Sequence, residues 1–278
     1  MNLFQIILLA VVQGLTELLP VSSSAHVILV EKFMALDPTS PEMTFLLVML
    51  HTGTMLAVIA YFWKSWKDHY FLTVSKRGPF LRQVGIATGT TLILGLCLKV
   101  LIEKICLRGQ AHAEVETLFG NLSLISGSLA LVGLYILLSS FFTKKTRTEK
   151  RIGLGESVKI GFVQGLSLPF RGLSRSGATI STGLILGIPK LKSEEFSFAL
   201  AVAITPFVLA VEIHRLWKSH PVSGELLALL LPGILGMVFS LLAGLLALKW
   251  LSSWLEKGRW GWFGVYCLLL SIVVWIFK

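Results

Sequence analysis

A polar segment occurs twice in this otherwise apolar chain, and the two copies are 151 positions apart. The first copy reads VQGLTELLPVSSS over residues 12–24, and the second reads VQGLSLPFRGLSR over residues 163–175. Gln13 therefore corresponds to Gln164. Because polar side chains are costly at bilayer depth, each copy predicts a place inside the protein that a polar ligand must enter.

Composition places these segments in a helical membrane protein. Of the 278 residues, 54% are hydrophobic and 14% are charged, whereas soluble domains carry roughly 25% charged residues. We therefore predict an all-α, polytopic membrane protein with about six transmembrane helices. Six apolar stretches approach the ~20 residues that cross a bilayer core, and they cover residues 45–63, 83–102, 118–142, 196–213, 225–248 and 259–277.

Two further apolar segments are interrupted by polar residues, and each predicts a re-entrant helical hairpin. Non-helical backbone at membrane depth is tolerated only where protein or a watery cavity covers it, so both interruptions are candidate parts of a site. The first segment covers residues 3–19, breaks at Pro20 and the serines, and resumes at 25–34, while the second covers 152–168, breaks from Pro169 to Ser176, and resumes at 177–188.

The order of the spans predicts an inverted repeat. Three crossings separate the two hairpins, and because three is odd, the hairpins enter from opposite faces and meet near the midplane. We predict one integral membrane domain over residues 1–278, with a first half at 1–142, a basic cytoplasmic loop at 143–151 and a second half at 152–278. With the N-terminus outside, the predicted cytoplasmic segments hold fifteen Lys and Arg residues against seven outside, which satisfies the positive-inside rule. The net charge of +10 fits such loops and anionic lipids rather than nucleic acid.

The first hairpin carries groups that suit cation binding and nucleophilic chemistry. Gln13 and Glu17 are four residues apart and share one helix face. A carboxylate can hold Mg²⁺ or Ca²⁺, and a serine beside the imidazole of His26 can be an activated nucleophile. In the alternative interpretation, Glu17 and His26 satisfy each other while the serines cap the second half-helix. The hydroxyls of this hairpin belong to Ser22, Ser23 and Ser24.

The second hairpin, RGLSRSGATIS, is typical of an anion site. Gly172 permits close backbone approach, and the guanidinium of Arg175 matches phosphate oxygens. Free N–H groups at the start of the next half-helix add positive potential. The alternative is a structural pairing of Arg175 with Glu17, which would also be the resting state of an empty phosphate site. The hydroxyls around Arg175 belong to Ser174, Ser176 and Thr179.

Four other polar residues are weaker candidates. His51 and Thr52 lie within an apolar span, where local hydrogen bonding is the favoured interpretation. Glu194 and Glu195 stand beside lysines at a helix start, and we expect an exposed role that the helix dipole favours. In the alternative interpretation, Glu195 supports the site by orienting a residue that contacts the ligand.

Two motifs resemble the signatures of a known family. QGLTELLPVSSSAH resembles the first signature of the bacterial undecaprenyl-pyrophosphate phosphatases, also known as bacitracin-resistance proteins: Glu or Gln, three residues, Glu, then a serine cluster and His. RGLSRSGATISTG is similar to the second, Pro-Gly-x-Ser-Arg-Ser-x-x-Thr. The resemblance covers nearly the whole chain. It implies a multi-pass enzyme of the inner membrane that removes the terminal phosphate from a C55 lipid diphosphate, with Mg²⁺ or Ca²⁺, at a site open to the periplasm.

The resemblance also implies a role for each matching position. It makes Glu17 the essential carboxylate and cation ligand, Ser23 the candidate nucleophile, His26 the catalytic histidine and Arg175 the phosphate-binding arginine. Two positions depart from the usual pattern, since Gln13 removes one negative charge and Arg171 stands where the family usually has proline. The implied substrate-binding residues are Gln13, Ser22, Ser24, Arg171, Gly172, Ser174, Ser176 and Thr179.

These residues predict hydrolysis of undecaprenyl diphosphate to undecaprenyl phosphate and inorganic phosphate, which recycles the lipid carrier for peptidoglycan synthesis. Either Ser23 or a water activated by His26 attacks the phosphorus, and the sequence leaves both routes open. The alternative is an inverted-repeat transporter or flippase for a lipid phosphate or another anion, which needs the anion site but not the Ser23–His26 pair. The expected partners are the polyprenyl diphosphate and membrane lipids, with a homodimer as one option for the oligomeric state.

Overall fold

A computed structural model describes residues 1–37, 40–106, 120–142, 150–219 and 230–278, and within these ranges every regular element is helical. Most of the predicted basic loop, residues 143–149, lies outside the described residues. The helices are α1 Leu3–Leu18, α2 Ser23–Phe33, α3 Pro41–Trp66, α4 Val74–Leu101, α5 Leu122–Ser140, α6 Leu154–Ser167, α7 Arg175–Ile185, α8 Lys190–Ser219, α9 Leu230–Glu256 and α10 Gly261–Ile276. The π-helical turns Lys67–Phe71 and Ile102–Cys106 extend α3 and α4.

Five of the described helices are long and apolar enough to cross a membrane, which confirms the prediction of a polytopic helical membrane protein. Each corresponds to one predicted span. The sixth predicted span, residues 259–277, contains the 16-residue apolar helix α10. At 1.5 Å per residue, α10 is about 24 Å long, which is shorter than a bilayer core of about 30 Å. The five longer segments are Glu42–Phe71, Ser75–Ile105, Leu122–Ser140, Lys190–His214 and Leu230–Glu256.

Both interrupted segments form a helix, a break and a second helix, as predicted. In the first, α1 ends at Leu18 before Pro20, and α2 begins at Ser23 and packs against α1. The second helix begins two residues earlier than the sequence indicated. Ser22, the last residue of the break, has a φ of 67°. Non-glycine residues adopt this left-handed conformation only when their surroundings hold them there.

The second hairpin is built in the same way from α6 and α7. Its second helix begins at Arg175, two residues earlier than predicted, because Ser174 caps it by accepting a hydrogen bond from the Gly177 N–H at 3.2 Å. Arg175 is therefore the first residue of α7. The residues of α7 from Ser176 to Leu184 are buried.

The described chain forms two compact units, each of which takes segments from both predicted halves. The first unit contains Met1–Leu19, Ser23–Ser65 and Ala201–Leu251, and the second contains Pro20–Ser22, Trp66–Leu200 and Ser252–Lys278. In the first unit, apolar side chains of α1, α2 and α3 share one core, made of Ile6, Leu9, Ala10, Val27, Met43, Leu46 and Leu50.

The glycine of each repeated VQGL segment lies at a close helix crossing. In the first unit, a Cβ built on Gly14 would lie 2.5 Å from the carbonyl oxygen of Ser240 in α9. In the second unit, a Cβ built on Gly165 would lie 3.1 Å from the carbonyl oxygen of Thr91 in α4. Small residues let helices approach in membranes, so the glycine of the repeat has a packing role beside its glutamine.

Candidate active site

In the first unit, three side chains converge on one carboxylate oxygen, Oε2 of Glu17. The hydroxyl of Ser23 donates a hydrogen bond to it at 2.5 Å, and the side-chain amide of Gln13 donates a second at 3.3 Å. The third is the imidazole of His51, whose Nε2 lies 3.9 Å away. This cluster joins the end of α1, the start of α2 and the middle of α3.

The helical hairpin explains why these residues meet. Gln13 and Glu17 are one turn apart near the end of α1, and the short break returns the chain so that Ser23 faces the same carboxylate. Gln13 is only 1% exposed, whereas the side chains of Glu17 and His51 are 18% and 38% exposed. The cluster is therefore closed on its glutamine side and accessible at Glu17 and His51.

His51 contributes more than the local hydrogen bond expected from the sequence. Its Nδ1 lies 2.8 Å from the carbonyl oxygen of Leu47, which confirms the local bond, as does the bond from Thr52 to the Val48 carbonyl. The approach of Nε2 to Glu17 was not predicted. The available signal was the ionisable side chain inside an apolar span, which is a functional hypothesis by default in membrane proteins.

The other predicted residues of the first hairpin lie around the break. Ser22 is buried, and Ser24 and His26 are half-buried in the first turn of α2. The position of His26, one helical turn after Ser23, is compatible with both the catalytic and the structural interpretation, so its role stays a prediction.

In the second unit, the hydroxyls near Arg175 are engaged in hydrogen bonds within the protein. Ser174 Oγ caps α7 and lies 3.3 Å from Ser176 Oγ. Thr179 Oγ1 donates to the backbone carbonyl of Arg175 at 2.8 Å and lies 2.6 Å from Ser197 Oγ in α8. These bonds hold the half-buried Arg175 at the start of α7, where the first N–H groups of the helix also lie.

Gly172 is required by the backbone of the hairpin itself. Its φ of 102° is unfavourable for any residue with a Cβ, and a Cβ there would lie 2.5 Å from the carbonyl oxygen of Ile125 in α5. The close approach predicted for Gly172 is therefore made to another helix. Arg171 beside it is half-buried.

The break of the first hairpin belongs to the same compact unit as the whole second hairpin. A Cβ built on Gly177 of α7 would lie 3.3 Å from Cβ of Pro20, and the Cys267 thiol donates to the Pro20 carbonyl at 3.4 Å. Pro20 thus lies beside the first turn of α7. That the two hairpins meet near the midplane stays a prediction.

The expected exposed role of Glu194 and Glu195 is wrong. Glu195 is 0% exposed, because the π-helical turn after α3 covers it and provides two donors. His69 Nδ1 lies 3.0 Å from one carboxylate oxygen, and the Tyr70 hydroxyl donates to the other at 2.9 Å. The buried carboxylate of Glu194 accepts a hydrogen bond from Ser252 at 2.5 Å.

Among the residues described, no group of three or more His, Cys, Asp or Glu side chains is placed to hold a metal ion. The Glu17 cluster offers a carboxylate and an imidazole, with an amide and a hydroxyl beside them. Such a set suits a cation that takes its remaining ligands from water and from the phosphates of a substrate, as Mg²⁺ commonly does.

Fold and site together define a class: a polytopic helical membrane protein with two interrupted hairpins, one carrying a carboxylate–serine pair and the other an arginine at a helix start. Comparison with known families agrees with this class. The chain belongs to the bacitracin resistance protein BacA family, whose model matches residues 6–273.

Individual relatives match over nearly their whole length. The chain is 55% identical to "Undecaprenyl-diphosphatase 2" of Acinetobacter baylyi, covering 99% of this chain and 97% of that protein. It is 30% identical to "Undecaprenyl-diphosphatase" of Bacteroides fragilis, covering 98% of this chain and 97% of the relative. It is 31% identical to "Undecaprenyl-diphosphatase 2" of Halalkalibacterium halodurans, covering 100% and 96%.

Proposed function

We propose that this chain hydrolyses undecaprenyl diphosphate to undecaprenyl phosphate and inorganic phosphate, and so recycles the lipid carrier for peptidoglycan synthesis. Membership of the BacA family and full-length identity of 55% to a named undecaprenyl-diphosphatase support the proposal. The structural observation that carries it is the 2.5 Å hydrogen bond between Ser23 and Glu17. A hydroxyl bonded to a carboxylate in an apolar protein is an arrangement that can generate a nucleophile.

Two routes of attack are compatible with these residues. In the serine route, Ser23 Oγ gives its proton to Glu17 and bonds to the terminal phosphorus, the bond to the bridging oxygen breaks, and undecaprenyl phosphate leaves. Water then hydrolyses the phosphoserine and releases inorganic phosphate. In the water route, His26 takes a proton from a water molecule whose oxygen attacks the same phosphorus.

Arg175 and the first N–H groups of α7 are the proposed phosphate-binding groups. The guanidinium provides two parallel donors for phosphate oxygens and keeps its charge at every working pH. The start of an 11-residue helix adds N–H donors and positive potential. The proposal requires that both hairpins act on one diphosphate.

Glu17 is the proposed ligand of a divalent cation, Mg²⁺ or Ca²⁺. When bound, such a cation offsets negative charge on the transferring phosphoryl group. Gln13 is neutral where the family also uses glutamate, so the protein itself brings less negative charge to this position. The substrate phosphates then supply more of the charge that binds the cation.

The membrane location and orientation of the enzyme are part of the same proposal. The chain is a multi-pass membrane protein, and we place it in the bacterial plasma membrane with its site open to the periplasm. This placement is supported by the excess of Lys and Arg in the segments predicted to be cytoplasmic. Membrane lipids would surround the isoprenoid tail, and a homodimer is compatible with the proposal.

A phosphate-release assay on the detergent-purified chain tests this function. Wild type should release inorganic phosphate from undecaprenyl diphosphate with Mg²⁺ or Ca²⁺ and stop when a chelator is added. Glu17→Gln and Arg175→Ala should each lower the rate by about 100-fold or more. Glu42→Gln, at an exposed carboxylate in the first turn of α3, is the matched control and should keep the wild-type rate. Absence of release by wild type, together with movement of a lipid phosphate across vesicles, would instead establish the transport alternative.

A further inference from the structure

The internal repeat provides a control for the residues of the Glu17 cluster. At the offset of 151 positions, Gln13 corresponds to Gln164, so both copies keep the glutamine. Glu17 corresponds to Leu168, and His51 corresponds to Val202. The carboxylate and the imidazole of the Glu17 cluster are thus both replaced by aliphatic side chains in the second copy.

The second copy shows what the fold alone requires of this position. Gln164 is buried, and its side-chain amide donates to Thr91 Oγ1 at 3.1 Å. Thr91 in turn donates to the carbonyl oxygens of Ala87 and Gly161. Hydrogen bonds among a glutamine amide, a hydroxyl and the backbone therefore hold a hairpin of this kind without a carboxylate or an imidazole, so Glu17 and His51 are present for another reason.

The hydrogen bond of Nδ1 fixes which tautomer a neutral His51 ring adopts. The Leu47 carbonyl oxygen can only accept, so Nδ1 carries the hydrogen of the 2.8 Å bond. In a neutral imidazole the remaining nitrogen, Nε2, then presents a lone pair. Nε2 lies 3.9 Å from the carboxylate oxygen Oε2 of Glu17, which is beyond the usual range of about 2.7–3.2 Å for a hydrogen bond.

Two electron-rich atoms in this arrangement are a donor pair for a cation. We propose that His51 Nε2 is a nitrogen ligand of the divalent cation, beside Glu17 Oε2. This inference rests on the proposed function, which assigns a cation to Glu17, and it adds a ligand and a metal preference. The neutral amide of Gln13, already bonded to the same carboxylate, holds Glu17 in place without adding charge.

A nitrogen ligand changes which cation the site prefers. Carboxylate and water ligands suit Mg²⁺, Ca²⁺ and Mn²⁺, whereas imidazole suits transition metals such as Zn²⁺ and Fe²⁺. Mn²⁺ is itself a transition metal and, unlike Ca²⁺, also accepts an imidazole nitrogen beside oxygen ligands. With a single carboxylate and a single imidazole from the protein, phosphate oxygens complete the coordination. We therefore expect Mn²⁺ to bind more tightly than Ca²⁺, and to do so when a diphosphate group is present.

Pulsed electron paramagnetic resonance of Mn²⁺ tests the proposal on the detergent-purified full chain. The probe is Mn²⁺ with an isoprenoid methylenediphosphonate, which cannot be hydrolysed. Wild type should show coupling of Mn²⁺ to ¹⁴N from imidazole and to ³¹P from the diphosphonate. In wild-type protein labelled with ¹⁵N-histidine, the nitrogen signal should change to that of ¹⁵N. This measurement does not depend on the folding of any variant.

Variants then identify the imidazole. His51→Gln should lose the nitrogen coupling, keep the phosphorus coupling, and weaken Mn²⁺ binding by about tenfold or more with little change for Ca²⁺. His26→Gln should keep the nitrogen coupling. His69→Gln is the matched control, because that imidazole bonds to Glu195 in the second unit, and it should keep both signals.

Each contrary outcome has a distinct meaning. Nitrogen coupling that survives in His51→Gln and is lost in His26→Gln overturns the assignment of His51. Phosphorus coupling without nitrogen coupling in wild type also overturns it and leaves the phosphatase proposal standing. Absence of both couplings together with absence of phosphate release overturns the proposed function itself.

Discussion

At the scale of single residues, the chemistry of this protein depends on Glu17 holding several partners at once. Its Oε2 atom accepts hydrogen bonds from Ser23 and Gln13 while His51 approaches from α3. The bond to Ser23 is the shortest of these contacts. A short bond between a hydroxyl and a carboxylate is charge-assisted and roughly twice as strong as a neutral one, so Ser23 is both oriented and polarised.

Substitution of this serine separates the two routes of hydrolysis. If Ser23 is the nucleophile, Ser23→Ala should lower phosphate release by about 100-fold or more, a loss of the size expected for a catalytic group. Ser253→Ala, at a half-buried serine near the end of α9, is the control for removing a hydroxyl and should leave the rate unchanged. A Ser23→Ala enzyme with full turnover would eliminate the serine route and leave water activated by His26.

At the scale of elements, the hairpins were predictable, and their local geometry was only partly so. Proline followed by serines marked the first break, because proline disrupts a helix and serine favours a helix start. The sequence did not reveal that Gly172 approaches Ile125, or that the turn after α3 buries Glu195. Both facts arise from contacts between segments far apart in the chain, which local pattern does not encode.

The backbone of the second hairpin gives a stability prediction with an internal control. Gly172 and Gly187 both have positive φ, 102° and 76°, but a Cβ would meet the Ile125 carbonyl at Gly172 and open space at Gly187. Gly187→Ala should therefore lower the free energy of unfolding by about 1 kcal/mol, because it introduces conformational strain alone. Gly172→Ala should lower it by about 2 kcal/mol more, because steric overlap is added to the strain. Thermal unfolding in detergent measures both, and equal losses would refute the approach to Ile125.

At the scale of the whole molecule, composition was the strongest guide. Low charge and long apolar stretches predicted the helical membrane class, and the five long apolar helices agree with it. The sequence was a weaker guide to which helices pack against one another, since similar apolar surfaces allow many arrangements. Each compact unit contains segments of both sequence halves, and the glycines of the repeat, Gly14 and Gly165, explain part of this by fitting α9 and α4 respectively.

The short helix α10 makes the position of the C-terminus a sharp test of the topology. If the three spans of the second half all cross, the N-terminus and Lys278 lie on the same outer side, and the loop at 143–151 lies inside. α10 is about 24 Å long, so crossing requires local bilayer thinning or snorkelling of Lys278, each at a modest cost. We expect it to cross, because Trp262 and Trp275, near its two ends, are suited to the two interfaces.

Labelling with a membrane-impermeant thiol reagent measures this directly. In a background in which Cys97, Cys106 and Cys267 are replaced by alanine, Lys278→Cys should react in intact spheroplasts. Arg147→Cys should react only after the membrane is opened, because positive charge retains that loop in the cytoplasm. If both sites react only after the membrane is opened, α10 does not cross. If Arg147→Cys reacts in intact spheroplasts, the topology is the reverse of the predicted one, and the proposed site lies on the cytoplasmic side.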